Sequence, residues 1–267
     1  MAQYDYDLAV IGGGSAGLSA TAGGAQFGAK TLLIEKAGNL GGDCLHTGCV
    51  PSKTLIHTAA VWEHAKRTSD FGLPRLEIPS VDLKQVMGRV REVISIIQKH
   101  DSPERFRSLG AEVRFGQPKF VDDHTVEMDG ERISAGKWII ATGSSPAIPP
   151  VEGLENIDYW TNENIFLQEK LPEKLLVLGG GPVGIELAQS FQRLGSKVTV
   201  VEFGDQILSP EDSDMSRLLL DQLEKEGMAV HTSTKAVKVE NTARGIRLTA
   251  SPAKEIGRAS CRERVCH

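Results

Sequence analysis

Two cysteines five positions apart, Cys44 and Cys49, stand in the segment GGDCLHTGCVPSK from Gly41 to Lys53. A close thiol pair of this kind can carry two electrons by opening and closing a disulfide. On a regular helix it could not close. Five residues advance the axis by about 7.5 Å and leave the Cα atoms roughly 8 to 9 Å apart, whereas a disulfide requires less than about 7 Å. Gly48 is expected to relieve this by adopting a backbone conformation that tightens the turn. Pro51 suits the first turn of a helix running through Ser52 to Ile56. A helix start beside the thiols, with Lys53 nearby, would favour the nucleophilic thiolate. Two plainer readings stand beside this one: two inert buried cysteines, or half of a zinc site. His46 and His57 make no known ligand spacing with the pair, and no metal site is expected.

The elements that must position the pair begin with an apolar strand from Tyr6 to Ile11. A loop, Gly12-Gly13-Gly14-Ser15-Ala16-Gly17, follows it, then an alanine-rich helix to about Gly28 and a second strand from Thr31 to Ile34, ending on Glu35. In this order Gly12 permits a tight turn, Gly14 lets the backbone approach a pyrophosphate, Gly17 lets the helix sit close on the strand, and Glu35 can accept a ribose hydroxyl. The pattern returns later. Leu175 to Leu178 reads as a strand, Gly179-Gly180-Gly181-Pro182-Val183-Gly184 as the loop, Ile185 to Leu194 as a helix, and Lys197 to Val201 as a strand ending on Glu202. Two such units suggest two different dinucleotides, a donor and an acceptor of electrons. Glu202 is followed by Phe203, Gly204, Asp205 and Gln206, with no Arg or Lys to meet a 2′-phosphate, so NADH is favoured over NADPH.

Between the units, a loop with Pro74 and Pro79 leads to a helix from about Val81 to His100. Its apolar residues Leu83, Val86, Met87, Val90, Val93, Ile94 and Ile97 form one stripe expected to be core. Ala111 to Ile140 reads as a small antiparallel meander with turns at Asp122-Asp123 and Asp129-Gly130. It ends on WIIATGSSPAIPP, Trp138 to Pro150, taken as the domain boundary. Beyond Asp205, a helix from Asp212 to Glu226 precedes strands within Met228 to Ala250 that turn near Arg244-Gly245.

With 267 residues, 40% hydrophobic and 24% charged, the chain has room for about two cored α/β domains. The formal charge of -5 is unclustered, which points away from nucleic acid and from membrane surfaces. There is no apolar run of spanning length, and the first strand starts by Tyr6, so a cytoplasmic protein is expected. In a reducing compartment a close cysteine pair reads as catalytic. The segment EIGRASCRERV, Glu255 to Val265, changes composition abruptly and lacks helix or strand periodicity. It resembles the translation of a sequencing adapter, so residues 255–267, with Cys261 and Cys266, are set aside from the fold.

The glycine loop, the GG-x-C-x4-C-V-P-S-K segment, ATGSSPAIPP and the second loop leading into Gly184-Ile185-Glu186 together resemble the flavin-dependent class I pyridine nucleotide-disulfide oxidoreductases. HDSPERF (His100 to Phe106) and WTNENIF (Trp160 to Phe166) look most like the mercuric-reductase-like branch, beside the dihydrolipoyl-dehydrogenase-like one. The resemblance implies an α/β fold of two Rossmann-like domains in three layers, with a helical hairpin and a small meander. Residues 1–150 would bind FAD and 151–254 NAD(P)H. Gly12, Gly14, Ser15, Ala16, Gly17, Glu35, Lys36, Gly42, Asp43, Lys53, Ala141, Thr142 and Gly143 would contact FAD, and Gly179, Gly181, Val183, Gly184 and Glu202 the nicotinamide nucleotide. It also implies that Cys49 is the flavin-side thiol and Cys44 the interchange thiol. Lys53 would sit near the flavin ring, paired with Glu186, since either charge buried alone would be costly.

The implied reaction passes electrons from NAD(P)H through FAD to the Cys44-Cys49 disulfide and on to Hg(II) or a small disulfide, in a homodimer. Asp43, where the family usually has Thr, would face phosphate oxygens or turn away. The family's C-terminal dimerisation domain, its second flavin motif and its His-Glu acid/base pair are not found in this sequence, so the chain alone is expected to bind nucleotides without sustained turnover.

Overall fold

In a computed structural model the described residues are 4–243, 245–253, 259–262 and 264–266. The first half of the chain runs β1 (Tyr6–Ile11), α1 (Ser15–Gln26), β2 (Thr31–Glu35), α2 (Gly42–His46), α3 (Cys49–Lys66), α4 (Leu83–Gln98), α5 (Pro103–Ser108), β3 (Glu112–Phe115), β4 (Lys119–Phe120), β5 (Thr125–Met128) and β6 (Glu131–Ile140). The second half runs β7 (Lys174–Leu178), α6 (Pro182–Leu194), β8 (Lys197–Val201), α7 (Ser213–Lys225), β9 (Ala229–His231), β10 (Thr234–Thr242), β11 (Gly245–Pro252), β12 (Ala259–Arg262) and β13 (Arg264–Cys266). Arg244, at the expected second-unit turn, lies outside the described residues. None of the helices described is long and apolar enough to cross a membrane.

Contacts divide the chain into two units, Met1–Pro51 with Arg91–Ser145, and Ser52–Val90 with Pro146–His267. This is not the continuous division at residue 150 expected from sequence. The α3 and α4 residues from Ser52 to Val90 join the later unit through contacts such as Lys53 with Glu186, Lys66 with the Arg193 carbonyl, and Lys84 with Glu169.

In the first unit the sheet order is β3-β2-β1-β6-β5-β4. All five residues of β2 are buried, as a parallel strand covered on both faces requires. Leu32 and Ile34 pack on one side with Val126, Met128 and Ile133, whereas Leu33 packs on the other with Val10, Leu18 and Phe106. The expected meander is smaller than its sequence range. β3 pairs parallel with β2 and belongs to the nucleotide sheet. β6 is shared: Ala135 to Ile140 runs parallel to β1, and Glu131 to Ser134 runs antiparallel to β5. Alternation alone could not separate these cases, because both present a period of two.

The second unit repeats the plan, with parallel β13-β7-β8-β9 and antiparallel β10-β11-β12. Leu176, Leu178 and Val201 pack against Val239, Ile246 and Leu248 of the antiparallel layer. Residues 259–262 and 264–266, which lack strand periodicity, form β12 and β13 and pair with β11 and β7. An open sheet edge offers backbone donors and acceptors to any extended chain, whatever its side-chain period. In α4, likewise, only Leu83, Met87 and Val90 of the predicted stripe are buried, whereas Val86, Val93, Ile94 and Ile97 are half-exposed.

The C-terminal ends of α6 and α7 are joined through Glu226, which accepts from Arg193 Nη2 at 2.7 Å and Nε at 2.8 Å, and from Gln189 and Gln222. Burial pushes the Glu226 carboxyl up, but hydrogen bonds from Arg193 and Gln222 outweigh it and hold it below the ordinary 4.5. A carboxyl lowered by folding stabilises the native state above its unfolded value and loses that contribution as pH falls through the native one. Glu226→Ala is expected to cost about 2 to 4 kcal/mol near neutral pH. In thermal melts the deficit should shrink once the pH falls well below 4.5. A deficit independent of pH would show that packing, not the charge pair, is responsible.

Candidate active site

Gly12 ends β1 with φ 107°. A side chain there would overlap the carbonyl of Ala141, and Ala141 N–H donates to Ile11 O at 2.8 Å. Strand order reverses at β1, with β2 on one side and β6 on the other, so GxGxxG and Ala141-Thr142-Gly143 meet at the carboxyl ends of adjacent parallel strands, where α/β sheets bind ligands. A Cβ on Gly17 would overlap Gly12 O, which is how α1 approaches β1 closely. Gly14 differs, because a Cβ there would meet nothing nearer than Gly42 Cα at 3.6 Å. Its missing side chain leaves open space at the N-terminus of α1, beside the exposed Ser15 and Ala16, where N–H groups and the helix dipole favour a phosphate. This cradle fits the pyrophosphate of a dinucleotide such as FAD.

Glu35, nearly buried, accepts from Gly13 N–H at 2.5 Å and from Ala37 N–H at 2.7 Å. It therefore braces the glycine loop as well as standing where a ribose would bind. Lys36 beside it is exposed.

The second unit repeats the acid's two hydrogen bonds atom for atom at one constant sequence offset, without a counterpart of the overlap between Gly12 and Ala141. Gly179 has φ 103°, a Cβ on Gly184 would lie 2.8 Å from Gly179 O, and one on Gly181 would meet nothing within 4 Å. Glu202 accepts from Gly180 N–H and Gly204 N–H, each at 2.5 Å. A cavity of about 390 Å³ opens at this loop, lined by Val177, Gly179, Gly181, Pro182, Val183 and Leu187 among others. Helix α6 starts at Pro182, three residues earlier than expected, because Pro fits the first helical position.

Cys44 lies within α2 and Cys49 is the first residue of the 18-residue α3. The helix breaks between them at Thr47, φ -137°, so the pair does not stand on one continuous helix. Gly48 acts differently from expectation. It does not have a positive φ. A Cβ on it would lie 2.9 Å from Asp43 O and 3.4 Å from Cys44 Cα, so its contribution is close approach to the first cysteine's backbone. Cys44 is half-buried and Cys49 exposed. Upstream, Gly41 N–H donates to Gly13 O at 2.8 Å, and a Cβ on Gly42 would lie 2.6 Å from Gly14 Cα. The thiol segment is thereby fastened by glycine-to-glycine contact to the first nucleotide loop. Gly13 and Gly41 were absent from the sequence-derived site, although the doublets Gly13-Gly14 and Gly41-Gly42 carried the signal. Asp43 turns toward the other strand end: its Oδ2 lies 3.5 Å from where a Gly143 Cβ would be.

Lys53 Nζ lies 2.7 Å from both oxygens of Glu186. The two side chains are 60% and 40% exposed, so this is not the buried pair that sequence suggested, and it adds little to stability. Among the described residues no cluster of three or more His, Cys, Asp or Glu could hold a metal ion.

Residues 6–259 match the family described as pyridine nucleotide-disulphide oxidoreductase. The chain belongs to that family. A mercuric reductase of Bacillus cereus is 33% identical over 89% of this chain and 37% of its own length. A dihydrolipoyl dehydrogenase of Thermus scotoductus is 39% identical over 93% of this chain and 53% of its own. The solved structure of the HOCl-induced flavoprotein disulfide reductase RclA from Escherichia coli superposes with a TM-score of 0.81 at 24% identity, covering 98% of this chain and 56% of that one, a likeness of fold. The chain spans about half the length of such relatives. In this family of flavoprotein disulfide oxidoreductases, FAD and NAD(P)H are the usual cofactors.

The open space around Gly181, which has an ordinary φ of -73°, separates binding from folding. Gly181→Ala should melt within about 1 °C of the parent but bind nicotinamide nucleotide at least tenfold more weakly by calorimetry. Gly184→Ala, which drives a methyl toward Gly179 O, should lower the melting temperature by several degrees.

Proposed function

We propose that the protein is an NADH-dependent flavoprotein reductase whose Cys44-Cys49 pair delivers two electrons to a thiol-reactive substrate, Hg(II) or a small disulfide. What carries this reading is the placement of the pair on either side of the helix break at Thr47, directly after the Gly41-Gly42 contact with the first nucleotide loop. Bound FAD supplies two-electron transfer between nicotinamide and thiols. The chain's own residues hold and direct the rest. Gly12, Gly14, Gly17, Glu35, Gly42 and Ala141 to Gly143 form the flavin cradle, and Gly179, Gly181, Val183, Gly184 and Glu202 the nicotinamide nucleotide site.

The family resemblance implies that Cys49 is the flavin-side thiol, and its place at the N-terminus of α3, where the helix dipole favours a thiolate, supports this. Cys44 attacks the substrate. With a disulfide substrate it forms a mixed disulfide and expels one thiolate; attack by Cys49 then restores the Cys44-Cys49 bond and releases the second. With Hg(II) the same two electrons reduce the metal. Glu202 and the lack of Arg or Lys from 203 to 206 favour NADH, since a carboxylate accepts ribose hydroxyls and repels a 2′-phosphate. The protein is proposed to be cytoplasmic, supported by a thiol pair suited to a reducing compartment, and the family resemblance supports a homodimer.

Two-electron reduction of the flavin-loaded protein should produce a long-wavelength thiolate-to-flavin absorption band that Cys44→Ser retains and Cys49→Ser abolishes. Persistence of the band in Cys49→Ser would overturn the assignment of the two thiols. NADH should bind at least tenfold more tightly than NADPH, and Glu202→Gln should narrow that ratio.

A further inference from the structure

Phe203 follows Glu202 immediately and is 63% exposed. Single exposed apolar side chains are ordinary on protein surfaces, so exposure alone means little. Its setting carries more. On one side Glu202 is locked by Gly180 and Gly204 N–H groups at 2.5 Å, and its carbonyl accepts from Thr234 N–H at 2.9 Å. On the other side Gly204 O accepts from Ser233 N–H at 2.6 Å. Phe203 is therefore presented on a turn braced at both ends, and a ligand meeting it would impose little ordering cost on the backbone.

The internal repeat identifies the slot. Glu202 corresponds to Glu35, Gly204 to Ala37 and Phe203 to Lys36, each the first residue past the acid. A ribose held by such an acid projects its base beyond the end of the strand, where that first residue lies. Adenine offers a flat aromatic face that gains from stacking on a phenyl ring.

We propose that Phe203 is the adenine platform of the second nucleotide site, an inference that rests on reading this unit as the nicotinamide nucleotide domain. The test is calorimetric titration of the chain, preloaded with FAD, with ADP-ribose, comparing the parent with Phe203→Ala, Phe203→Leu and Phe203→Tyr. The expected result is about tenfold weaker binding for Ala and Leu and affinity within about twofold of the parent for Tyr. Thermal melts should coincide, because the side chain is exposed. Parental affinity in Phe203→Ala or Phe203→Leu would overturn the platform while leaving the nucleotide domain standing. A parent chain that binds no ADP-ribose would overturn the domain reading and the platform with it.

Discussion

At Gly12 the chain passes so close to the Ala141 carbonyl that any side chain would overlap it, and at Gly17 it passes equally close to Gly12 O. This backbone-on-backbone approach joins three elements, since β1 must stop, β6 must run alongside it, and α1 must start directly above. The positive φ of Gly12 makes the turn possible, and the N-terminus of α1 is thereby aimed at open space beside Gly14. The thiol segment depends on the same joint. Gly42 lies against Gly14, so α2 and the cysteine within it take their position from the nucleotide loop together with the buried Leu45.

The two acids that end β2 and β8 each tie a glycine loop to the turn beyond the strand. Each carboxylate accepts two backbone N–H groups, one from the middle of the glycine loop and one from the turn that follows the strand. These charge-assisted bonds hold loop and turn in register before any ligand arrives. Preorganisation of this kind reduces the ordering cost of binding. It also makes an exchange of either acid for a cation more than a change of specificity, because the loop loses its brace.

Much of the site was legible because it is local. GxGxxG, the terminal acids Glu35 and Glu202, and the cysteine segment each lie within a few dozen residues, and strand, turn and helix signals in such windows follow from backbone sterics and periodicity. Where the reading failed, the missing information was non-local. Glu112 to Phe115 and Ala135 to Ile140 alternate like meander strands, yet pair parallel with β2 and β1. Val93, Ile94 and Ile97 have the spacing of a core stripe but are only half-buried. Gly48 is expected to tighten the turn by its backbone conformation, and the structure adds that its missing Cβ lets the carbonyl of Asp43 come near.

The sequence by itself determined the two nucleotide-binding units, the positions of their glycines and acids, and a redox-capable thiol pair on the approach to a helix. Only the tertiary structure decided that Ala141 to Gly143 meets the first loop, that Gly41 and Gly42 dock on Gly13 and Gly14, and that Lys53 reaches Glu186 through solvent-exposed side chains. The physical reason is range. Local conformation follows from φ/ψ preference and side-chain period, but contacts between distant segments depend on strand order and on where the backbone leaves no room for a Cβ, quantities that no local window contains.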